Sequence, residues 1–597
     1  MFQRSHDIGL SGLRGIPARA RNVVVRFTYS ARCVVLLSCS IGGFGQPASS
    51  AALGSDAKVR LIATAAALRA TAPAPELTRV ATTGFAAEAD GGAANYMAAP
   101  DAPRGTYRDN GCTVIVPQDG DGSAAWLAEL GDTPHALQCG LVGDGVTDDS
   151  AAMQAFIDAN KGKSLVFDAN KSFLVQGVTL VGASYDNTRL DFQGELKLKP
   201  APTAGSANFQ SACWTALAFQ QVEGITLQGH FNGDRNAQQM REQTFIAVMA
   251  GVTKFTAPFL SIREIRGDGL YIAQALLKSK STTTNGVAIG TIEGFNSADD
   301  GRNLVTIISG SNINIGTLTS NHIGGTILGA IEPGGLDIEP DAAYEVTDGV
   351  SIGKLTVVSS GTSGLAIFGS PGISPKNVRN VTVGVSDVTN TAVPTTVDAA
   401  GNLTVTSSHN LLVKHAANVT ISAHAGTYTK AFGDGVDIID SDNVSIYATE
   451  THNRVCAKVN VPTDSKVKDA SSGIHMTINC DGPTLYGLQT GTVSDAIFRG
   501  NITNPVAGYY TAALFAVYTS SFPTGDATTQ KNVIYSVDIP FHPNWVRGFR
   551  NEPAAPVTYS GDTAIADMSF LHPSGAWASS AKMIDARIPT RNVAGYK

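Results

Sequence analysis

The stretch GDGVTDDSAAMQAFID, residues 143–158, opens the repetitive main body of the chain. Asp148 or Asp149 is placed to cap a short helix. That helix is predicted by three apolar residues that fall at helical spacing: Met153, Phe156 and Ile157. Strand-like segments follow at SLVF (164–167) and SFLV (172–175), and strong helical periodicity is hard to find beyond them.

A short unit recurs from about residue 175 onward. It consists of glycine or a small polar residue followed by three or four β-forming residues. Its copies are GVTLVG (177–182), GITLQG (224–229), GVAIGT (286–291), NINIGT (312–317), GVSIGK (349–354), NVTVGV (380–385), NVTISA (418–423) and NVSIYA (443–448). Irregular repeats of strand and Gly/Asn turn favour a solenoid whose coils stack ~4.8 Å apart. A sandwich of regular hairpins would show clearer Asn-Gly turns. We therefore predict an all-β parallel β-helix.

The composition limits the partners of the protein. Hydrophobic residues make up 43% and charged residues 16% of the 597-residue chain, which is ordinary for a folded protein. The length exceeds what one compact core supports, so the chain has several domains or a repeat architecture. A net charge of −7 without a long basic run argues against nucleic acid as a partner. No stretch reaches the ~20 apolar residues that a membrane helix needs.

Four regions are predicted along the chain. Residues 1–54 form a leader or signal-like segment, 55–135 a small N-terminal module, 136–500 the β-helix, and 501–597 its end with a capping or oligomerisation region. The leader carries six arginines before the apolar run CVVLLSCSIGGFG (33–45). It fits a secretory signal with a long charged start, and equally a disordered leader or a start codon placed too far upstream.

The seven cysteines are scattered and form no CxxC pair. A zinc site or a dense disulfide framework is therefore not expected. Isolated buried thiols are the favoured interpretation. A bridge between Cys456 and Cys480 is the alternative if the protein is extracellular.

Two carboxylates share one face in the stretch GGLDIEPDA, residues 334–342. On a strand, Asp337 and Glu339 point to the side opposite Leu336 and Ile338. Same-face neighbours lie ~6.6–6.8 Å apart, within the ~6.5–9.5 Å range of inverting glycosidases. The pair predicts acid–base chemistry in an open groove. The alternative is two ordinary solvated side chains.

A second polar cluster lies at SADDGRN, residues 297–303. Asp299 and Asp300 precede a strand and are expected at a bend, and Arg302 is suited to a uronate or sulfate group. The alternative is an Asx-capped turn. If the two clusters lie on neighbouring coils they form one site, and two further residues fall between them: His322 and Glu332.

Two Gly-Asp-Gly motifs add acidic candidates at GDGLYI (267–272) and GDGVDIID (433–440). Because Gly-Asp-Gly is a common turn, a structural role is favoured for most of these residues. Asp437 is kept as a candidate because the surrounding VDII alternates. The full set is Asp268, Asp434, Asp437 and Asp440.

The sixteen residues of the opening stretch resemble the first signature of the pectate-lyase-like, right-handed parallel β-helix superfamily. Its members include polysaccharide-degrading enzymes and bacteriophage tailspikes. In that family the segment caps the first coil, so the resemblance implies structural roles for Asp144, Asp148 and Asp149. ITLQGHFNGDRN (225–236) and the two acidic clusters look like later coils of tailspike-type members. The resemblance covers roughly residues 55–450.

The resemblance implies a polysaccharide depolymerase, a glycoside hydrolase that cleaves a bacterial capsular polysaccharide or exopolysaccharide. It also implies a homotrimer that acts outside the cell, as a virion tail component or a secreted protein. The expected catalytic residues are Asp337, Glu339 and Asp300, with Asp337 as base and Glu339 as acid or the reverse. The expected substrate-binding residues are Asp299, Arg302, His322, Glu332 and Asp437.

Two other functions fit the same fold. One is a non-catalytic adhesin that binds glycan in the same groove. The other is a uronan lyase or epimerase, which needs a base near the sugar C5 atom and a group that neutralises the uronate. For a lyase, Ca²⁺ is the expected cofactor, held by Asp299, Asp300, Asp337 and Glu339. The hydrolase requires neither a metal nor another cofactor.

Overall fold

The structure of the chain is a computed structural model. It describes residues 59–201, 214–238, 244–277, 280–298, 301–324, 326–327, 330–331, 334–358, 363–390, 396–397, 403–404, 409–429, 433–460, 470–506, 512–516, 528–539, 547–551, 557–560, 562–566 and 590–591. The predicted leader, 1–54, lies outside the described residues, as does most of 501–597.

A five-stranded sheet precedes the main body. Its first two strands are parallel and the others antiparallel. Trp126 and Tyr96 fill its core, and the Trp126 indole N–H donates to the carbonyl of Thr71 at 2.7 Å. The helix Ala65–Arg69 packs beside the sheet. The strands are Arg60–Ile62, Arg79–Thr82, Asn95–Ala98, Val114–Ile115 and Trp126–Ala128.

The opening stretch forms the helix Ser150–Ala159, and the three predicted apolar residues are buried under it. Asp149 occupies the N-cap position, but its carboxylate accepts backbone N–H groups from Val142 and Gly143 at 2.7 and 3.1 Å instead of capping the helix. Asp148 accepts the N–H of Ser150 at 3.1 Å. Its hydrogen bond with Lys199 lowers the pKa of Asp148 to about 2.

Parallel strands then form two ladders that run the length of the main body. The first ladder, here the long-strand sheet, contains most of the strands that exceed nine residues. After the edge strands Asp144–Asp148, Ser164–Phe167 and Ser172–Val175, it consists of Arg189–Leu198, Thr226–Asn232, Thr253–Arg263, Asn285–Phe295, Gly310–Asn321, Thr347–Val358, Val378–Asn390, Ala416–Tyr428, Asp442–Thr451, Ser471–Asp481, Val493–Thr503, Thr528–Asp538, Val557–Ser560, Ala564–Ala566 and Thr590–Arg591.

The second ladder, here the short-strand sheet, alternates with the first along the chain. Each coil therefore contributes one strand to each sheet, which is the arrangement of a parallel β-helix. The strands are Val178–Val181, Trp214–Gln220, Thr244–Ala250, Asp268–Ala273, Val305–Ile307, Leu336–Ile338, Leu365–Phe368, His409–Lys414, Asp434–Ile439, Val455–Val459, Tyr486–Thr490, Ala512–Ala516 and Arg547–Asn551. The predicted fold class is confirmed.

Smaller elements project from the coils. Three antiparallel hairpins pair Ala275–Leu277 with Lys280–Thr282, Thr326–Ile327 with Ala330–Ile331, and Thr396–Val397 with Leu403–Thr404. The 3-10 turns are Ala136–Cys139, Ala183–Tyr185 and Arg235–Ala237. Both ladders continue past the predicted boundary at residue 500.

The recurring sequence unit has a backbone explanation. Seven of its eight copies lie on the long-strand sheet. The leading Gly or Asn of the unit adopts a positive φ, for example 72° at Gly286 and 54° at Asn418. Only glycine and asparagine adopt this conformation readily. The asparagines also stack, because Asn418 donates to Asn380 at 3.0 Å and Asn443 donates to Asn418 at 3.2 Å.

The core lies between the two sheets and is aliphatic. On the short-strand sheet, one buried residue of each coil stands directly beside that of the next. We call this set the inner row: Leu270, Val305, Leu336, Leu365, Leu411 and Val436. Phenylalanines replace aliphatic residues near the start, where the Phe167 and Phe192 rings stack at 4.0 Å.

The favoured interpretation of isolated buried thiols was wrong for four cysteines, whereas the alternative bridge between Cys456 and Cys480 is confirmed. Cys456 and Cys480 form a disulfide, and so do Cys112 and Cys139. Cys456 is on the short-strand sheet and Cys480 on the long-strand sheet, so that bridge crosses the core of one coil. Within the described residues, no helix is long and apolar enough to cross a membrane.

Replacement of Phe192 by alanine tests the packing at the start of the β-helix. Loss of a fully buried ring that stacks on Phe167 should lower the free energy of unfolding by about 3–5 kcal/mol. Guanidinium-induced unfolding, followed by tryptophan fluorescence, measures the change. Phe259→Ala, at a ring that is 36% exposed on the same sheet, is the control and should change the midpoint far less. Equal effects of both variants would contradict the packing.

Candidate functional site

A row of side chains follows the inner row by one residue on each short strand, and we call it the outer row. Because strand side chains alternate, the outer row points away from the core. Register places its members side by side from coil to coil. Most of these residues are nevertheless buried. The members are Tyr271, Thr306, Asp337, Ala366, Leu412, Asp437, Lys458 and Gln489.

Two carboxylates near the start of the outer row are joined by one asparagine. Asn303 donates its backbone N–H to Asp268 at 3.3 Å and its side-chain N–H to Asp337 at 3.4 Å. The same amide nitrogen lies 3.1 Å from the hydroxyl of Thr306. Asn303, Asp268 and Asp337 are all buried. The Asp337 carboxylate is therefore linked to the preceding coil through Asn303.

Charge and aromatic contacts complete this cluster. Arg302 makes an ion pair with Asp268 at 3.4 Å. Tyr271 donates its hydroxyl to Asp341 at 3.4 Å, and burial together with Asp341 raises the pKa of Tyr271 well above its usual value. We call Asp268, Tyr271, Arg302, Asn303 and Asp337 the Asn303 group.

The predicted pair Asp337 and Glu339 is less exposed to solvent than expected. Asp337 is only 3% exposed, so the expectation of an open, solvated face was wrong for this residue. Its strand ends at Ile338, and Glu339 follows as a half-buried residue whose N–H donates to Ile307 at 3.1 Å. Glu339 is therefore the member of the pair that solvent reaches.

The other predicted residues are distributed as follows. Arg302 belongs to the Asn303 group through Asp268. His322 follows the long strand Gly310–Asn321, where its N–H donates to Val358 at 3.0 Å and its ring meets Phe295 edge-on at 6.3 Å. These contacts place His322 beside the long-strand sheet and not on the outer row. Three predicted residues lie outside the described residues: Asp299, Asp300 and Glu332.

Further along the outer row, a second cluster surrounds Asp437. Asp437 stands in register between Leu412 and Lys458. Its Oδ2 atom lies 3.5 Å from Nδ1 of His409. The members, here the Asp437 group, are His409, Asp434, Asp437, Arg454 and Lys458.

The two carboxylates of the Asp437 group have opposite electrostatic surroundings. Burial favours the neutral acid at Asp434, but Lys458 and Arg454 hold the pKa of that carboxyl well below its usual range. Arg454 reaches Asp434 through two N–H groups at 3.0 and 2.8 Å, and Lys458 donates to the same carboxylate. At Asp437, burial raises the pKa to about 7, with Asp434 adding to the effect and Lys458 opposing it.

Burial also lowers the pKa of His409 to about 4, so its imidazole is neutral at pH 7. Two polar atoms of the group lack a hydrogen bond among the described residues: Oδ1 of Asp437 and Nδ1 of His409. Buried polar atoms are nearly always paired in native proteins. The Asp437 group therefore has hydrogen-bonding capacity that its own residues do not use.

A buried polar network lies inside the coils, on the core side of the strand that carries Asp434 and Asp437. Glu450 lies 3.0 Å from Nε2 of His424 and accepts N–H groups from Asn410 and Asn453 at 2.8 and 2.6 Å. A Cβ atom at Gly435, on the strand that carries Asp434 and Asp437, would lie 2.6 Å from the Glu450 carboxyl carbon. The network is fully enclosed, so it positions the strand and does not meet a polymer.

A groove on the outside of the long-strand sheet is one of the concave polar surfaces among the described residues. It encloses about 520 Å³ and is lined by exposed or half-exposed groups that include Tyr447, His475 and Arg499. No carboxylate is among its lining residues. The groove has groups that bind sugars but not a pair of acids.

The described residues contain no group of three or more His, Cys, Asp or Glu side chains arranged to hold a metal ion. Asp299 and Asp300, half of the predicted calcium ligands, lie outside the described residues.

Three coil spacings separate Asp337 from Asp437, because Ala366 and Leu412 occupy the two intermediate positions of the row. At ~4.8 Å per coil this is ~14 Å. That distance exceeds the ~9.5 Å limit for two carboxylates that act on one glycosidic bond. Asp337 and Asp437 are therefore too far apart to act as one pair on a single glycosidic bond.

Asp268 and Asp434 were expected to be turn residues because each lies in a Gly-Asp-Gly motif. In the structure each is the first residue of a strand of the short-strand sheet. The signal that reveals them is the spacing to the following aliphatic residue. Asp268 precedes Leu270 by two positions, as Asp434 precedes Val436. A comparison of coils by their inner-row residue aligns the two aspartates.

Comparisons with known proteins gave the following. No protein-family model matches the sequence. A 70-residue segment is 41% identical to Depolymerase 1, a capsule-specific depolymerase from Klebsiella phage K5-2, and covers 12% of this chain and 9% of that protein. The chain therefore spans less than a tenth of the length of this relative in the match.

Solved structures with a similar fold include the tailspike protein gp49 of Acinetobacter baumannii bacteriophage Fri1, a capsular polysaccharide depolymerase. It is 15% identical, with a TM-score of 0.42, over 87% of this chain and 77% of that chain. The A-module of the Azotobacter vinelandii mannuronan C-5 epimerase AlgE6 is 13% identical, with a TM-score of 0.38, over 78% of this chain and 100% of that chain. Neither likeness assigns a role to a residue of this chain.

The variant Asp437→Asn tests the electrostatics of the Asp437 group. The folded-state pKa of Asp437, about 7, lies above its value of 3.8 in the unfolded chain. Its contribution to stability is complete below pH 3.8 and is lost as the pH rises through 7. The amide does not ionise, so the melting temperature of the variant relative to wild type should rise between pH 5 and pH 8.

Thermal unfolding at several pH values measures this difference. Asp387→Asn, at an exposed aspartate of the long-strand sheet, is the control and should give a difference that does not change with pH. A flat difference for Asp437→Asn would show that the carboxyl is already ionised at pH 5.

Proposed function

We propose that the protein is a polysaccharide depolymerase, a glycoside hydrolase that cleaves a bacterial capsular polysaccharide or exopolysaccharide at the Asn303 group. The observation that carries the proposal is the double donation by Asn303. It connects two buried carboxylates, Asp268 and Asp337, on the outer face of the short-strand sheet. A polymer that runs from coil to coil on this side of the sheet would meet Arg302 and Glu339, which are only partly buried.

Hydrolysis needs one carboxyl to protonate the leaving oxygen and another to activate water. Glu339 is half-buried at the end of its strand and is suited to contact the glycosidic oxygen as the acid. Asp337 is almost fully buried and is suited to hold and deprotonate a water molecule as the base. Their backbone positions are two residues apart, ~6.6–6.8 Å along an extended chain, which favours inversion at the anomeric carbon.

Asp268 has a positioning role in this mechanism. Its charge is matched by Arg302 at 3.4 Å, and its carboxylate orients Asn303 through the backbone N–H. Asn303 in turn donates to Oδ2 of Asp337 and so helps to hold this carboxylate in position. Arg302 then lies next to the substrate, where a guanidinium binds an acidic or hydroxyl-rich sugar.

The biological setting follows from the same proposal. The segment match to a capsule-specific phage depolymerase supports a polysaccharide of the bacterial surface as the substrate. The protein then acts outside the cell, as a virion tail component or a secreted enzyme. A homotrimer is the assembly we propose, with exposed apolar residues of the long-strand sheet such as Val385 as candidates for contact between subunits.

The double variant Asp337→Asn, Glu339→Gln tests the catalytic assignment. Each group is expected to contribute ~10²–10⁴-fold as a general acid or base, so cleavage should fall below detection. The assay uses purified full-length protein and a panel of bacterial capsular polysaccharides, with new reducing ends as the readout. Binding to the same polysaccharide and the oligomeric state should remain as in wild type.

The readout separates the candidate functions. New reducing ends without ultraviolet absorbance indicate a hydrolase, and an absorbing unsaturated uronate indicates a lyase. Binding without either product indicates an adhesin. Asp387→Asn is the matched control and should cleave at the wild-type rate. Full activity in the double variant would contradict the assignment of Asp337 and Glu339.

A separate variant, Asp268→Asn, tests the positioning role. Loss of the charge should weaken the orientation of Asn303 and lower kcat about 10-fold or more, with a smaller change in KM, because Asp268 does not touch the substrate. The KM-to-kcat split from initial rates is the measurement. A change confined to KM would instead place Asp268 in substrate binding.

A further inference from the structure

The Asp437 group stands on the same outer row as Asp337 and is not used by the proposed hydrolysis. We propose that it binds the carboxylate of an acidic sugar residue, so that the substrate of this protein is an acidic polysaccharide. The inference rests on the proposed depolymerase function and names the substrate class for it. The polymer would contact the Asn303 group and, ~14 Å further along the coils, the Asp437 group.

Unused hydrogen-bonding capacity is the first argument. Oδ1 of Asp437 and Nδ1 of His409 lack a hydrogen bond among the described residues, although both residues are buried. Burial of a polar atom without a hydrogen-bond partner is destabilising, because the atom loses its contacts with water and gains none in return. The two residues lie on neighbouring strands, and Nδ1 of His409 is 3.5 Å from Oδ2 of Asp437. Two unpaired atoms this close together indicate a ligand that bonds to both.

Charge is the second argument. Asp434 faces two cations, the buried Lys458 and the half-exposed Arg454, so this cluster carries one positive charge more than Asp434 balances. Asp437, the nearest second carboxyl, is neutral over part of the physiological pH range. An ammonium group has three donors, and Asp434 takes one of those of Lys458. A ligand carboxylate supplies the missing negative charge and two acceptor oxygens.

The geometry of the group matches a carboxylate. Lys458 stands directly beside Asp437 in register, so an acceptor between them meets the ammonium and the Asp437 hydroxyl together. A carboxylic acid that is kept neutral by burial can donate a hydrogen bond to an anion. A neutral sugar would leave Lys458 and Arg454 sharing the single negative charge of Asp434, whereas a carboxylate would add a second one.

Binding should depend on pH in a defined direction. The charged and titratable groups that face Asp437 are Asp434 on its own strand, His409 and Lys414 on the preceding strand, and Arg454 and Lys458 on the following coil. Above pH 7, Asp437 ionises and repels the ligand carboxylate. Affinity should therefore be highest near pH 5–6, where Asp437 is protonated and a uronate remains charged.

The test uses the full-length protein with Asp337→Asn and Glu339→Gln, so that cleavage does not interfere. The probes are galacturonate and glucuronate trisaccharides, together with the same trisaccharides after reduction of their carboxylates to primary alcohols. Isothermal titration calorimetry at pH 5.5 should show at least 10-fold tighter binding of one uronate than of its reduced form. Equal binding of both forms, or no binding of either uronate, would overturn the proposal.

Two variants in the same background locate the effect. Lys458→Met should remove the preference for the uronate, and Lys354→Met, at an exposed lysine of the long-strand sheet, should keep it. The asparagine of Asp437→Asn is a neutral hydrogen-bond donor at every pH. This variant should therefore prefer the uronate over its reduced form at pH 5.5 and also at pH 8. A Lys458→Met protein that is folded by its melting temperature and still prefers the uronate would contradict the site.

The outcome is distinguishable from failure of the hydrolase proposal. If the uronate preference is present but the wild-type chain cleaves no polysaccharide, only the hydrolytic function fails. If the wild-type chain cleaves a polysaccharide and its carboxyl-reduced form at equal rates, only the acidic-sugar site fails.

Discussion

The inner row of aliphatic residues fixes the position of the outer row on the short-strand sheet. Each coil places a Leu or Val in register with the next, from Leu270 through Val436, and these side chains must remain between the two sheets. Because strand side chains alternate, the following residue of each coil must then point outward. Asp337 and Asp437 therefore occupy the same row, although exactly 100 positions separate them in the sequence. The spacing of the two clusters is a consequence of coil stacking and not of loop conformation.

The sequence predicted structure best where the type of a single residue determines the local backbone conformation. The recurring Gly or Asn predicted the coil starts because those residues adopt positive φ, as at Gly349 and Asn380. Apolar spacing predicted the helix that begins at Ser150. Apolar spacing did not reveal which N–H groups the Asp149 carboxylate accepts. An aspartate is equally suited to cap the helix and to accept the N–H of Val142. The Cys456–Cys480 bridge was only the alternative expectation, and the Cys112–Cys139 bridge was not predicted, because cysteine spacing alone does not show which strands the coils bring together.

The candidate site was only partly predictable for a related reason. Asp337 was found because LDIE alternates within one strand. Asp268 was assigned to a turn, since Gly-Asp-Gly is a common turn sequence. In the structure, a Cβ atom at Gly269 would lie 2.6 Å from the carbonyl of Leu304, so this glycine permits close stacking of two coils. That contact, and the link from Asp268 through Asn303 to Asp337, joins three coils. Pairing between distant coils is not visible in a single sequence.

The central claim is that glycan lies along the outer row of the short-strand sheet. The most direct measurement is a crystal structure of the full chain with Asp337→Asn and Glu339→Gln, soaked with an oligosaccharide that the wild-type protein releases. The account predicts a sugar ring within hydrogen-bond distance of Arg302 or Asn303, with the chain continuing toward Lys458. An oligosaccharide bound only in the groove of the long-strand sheet, beside Tyr447 and Arg499, would contradict it.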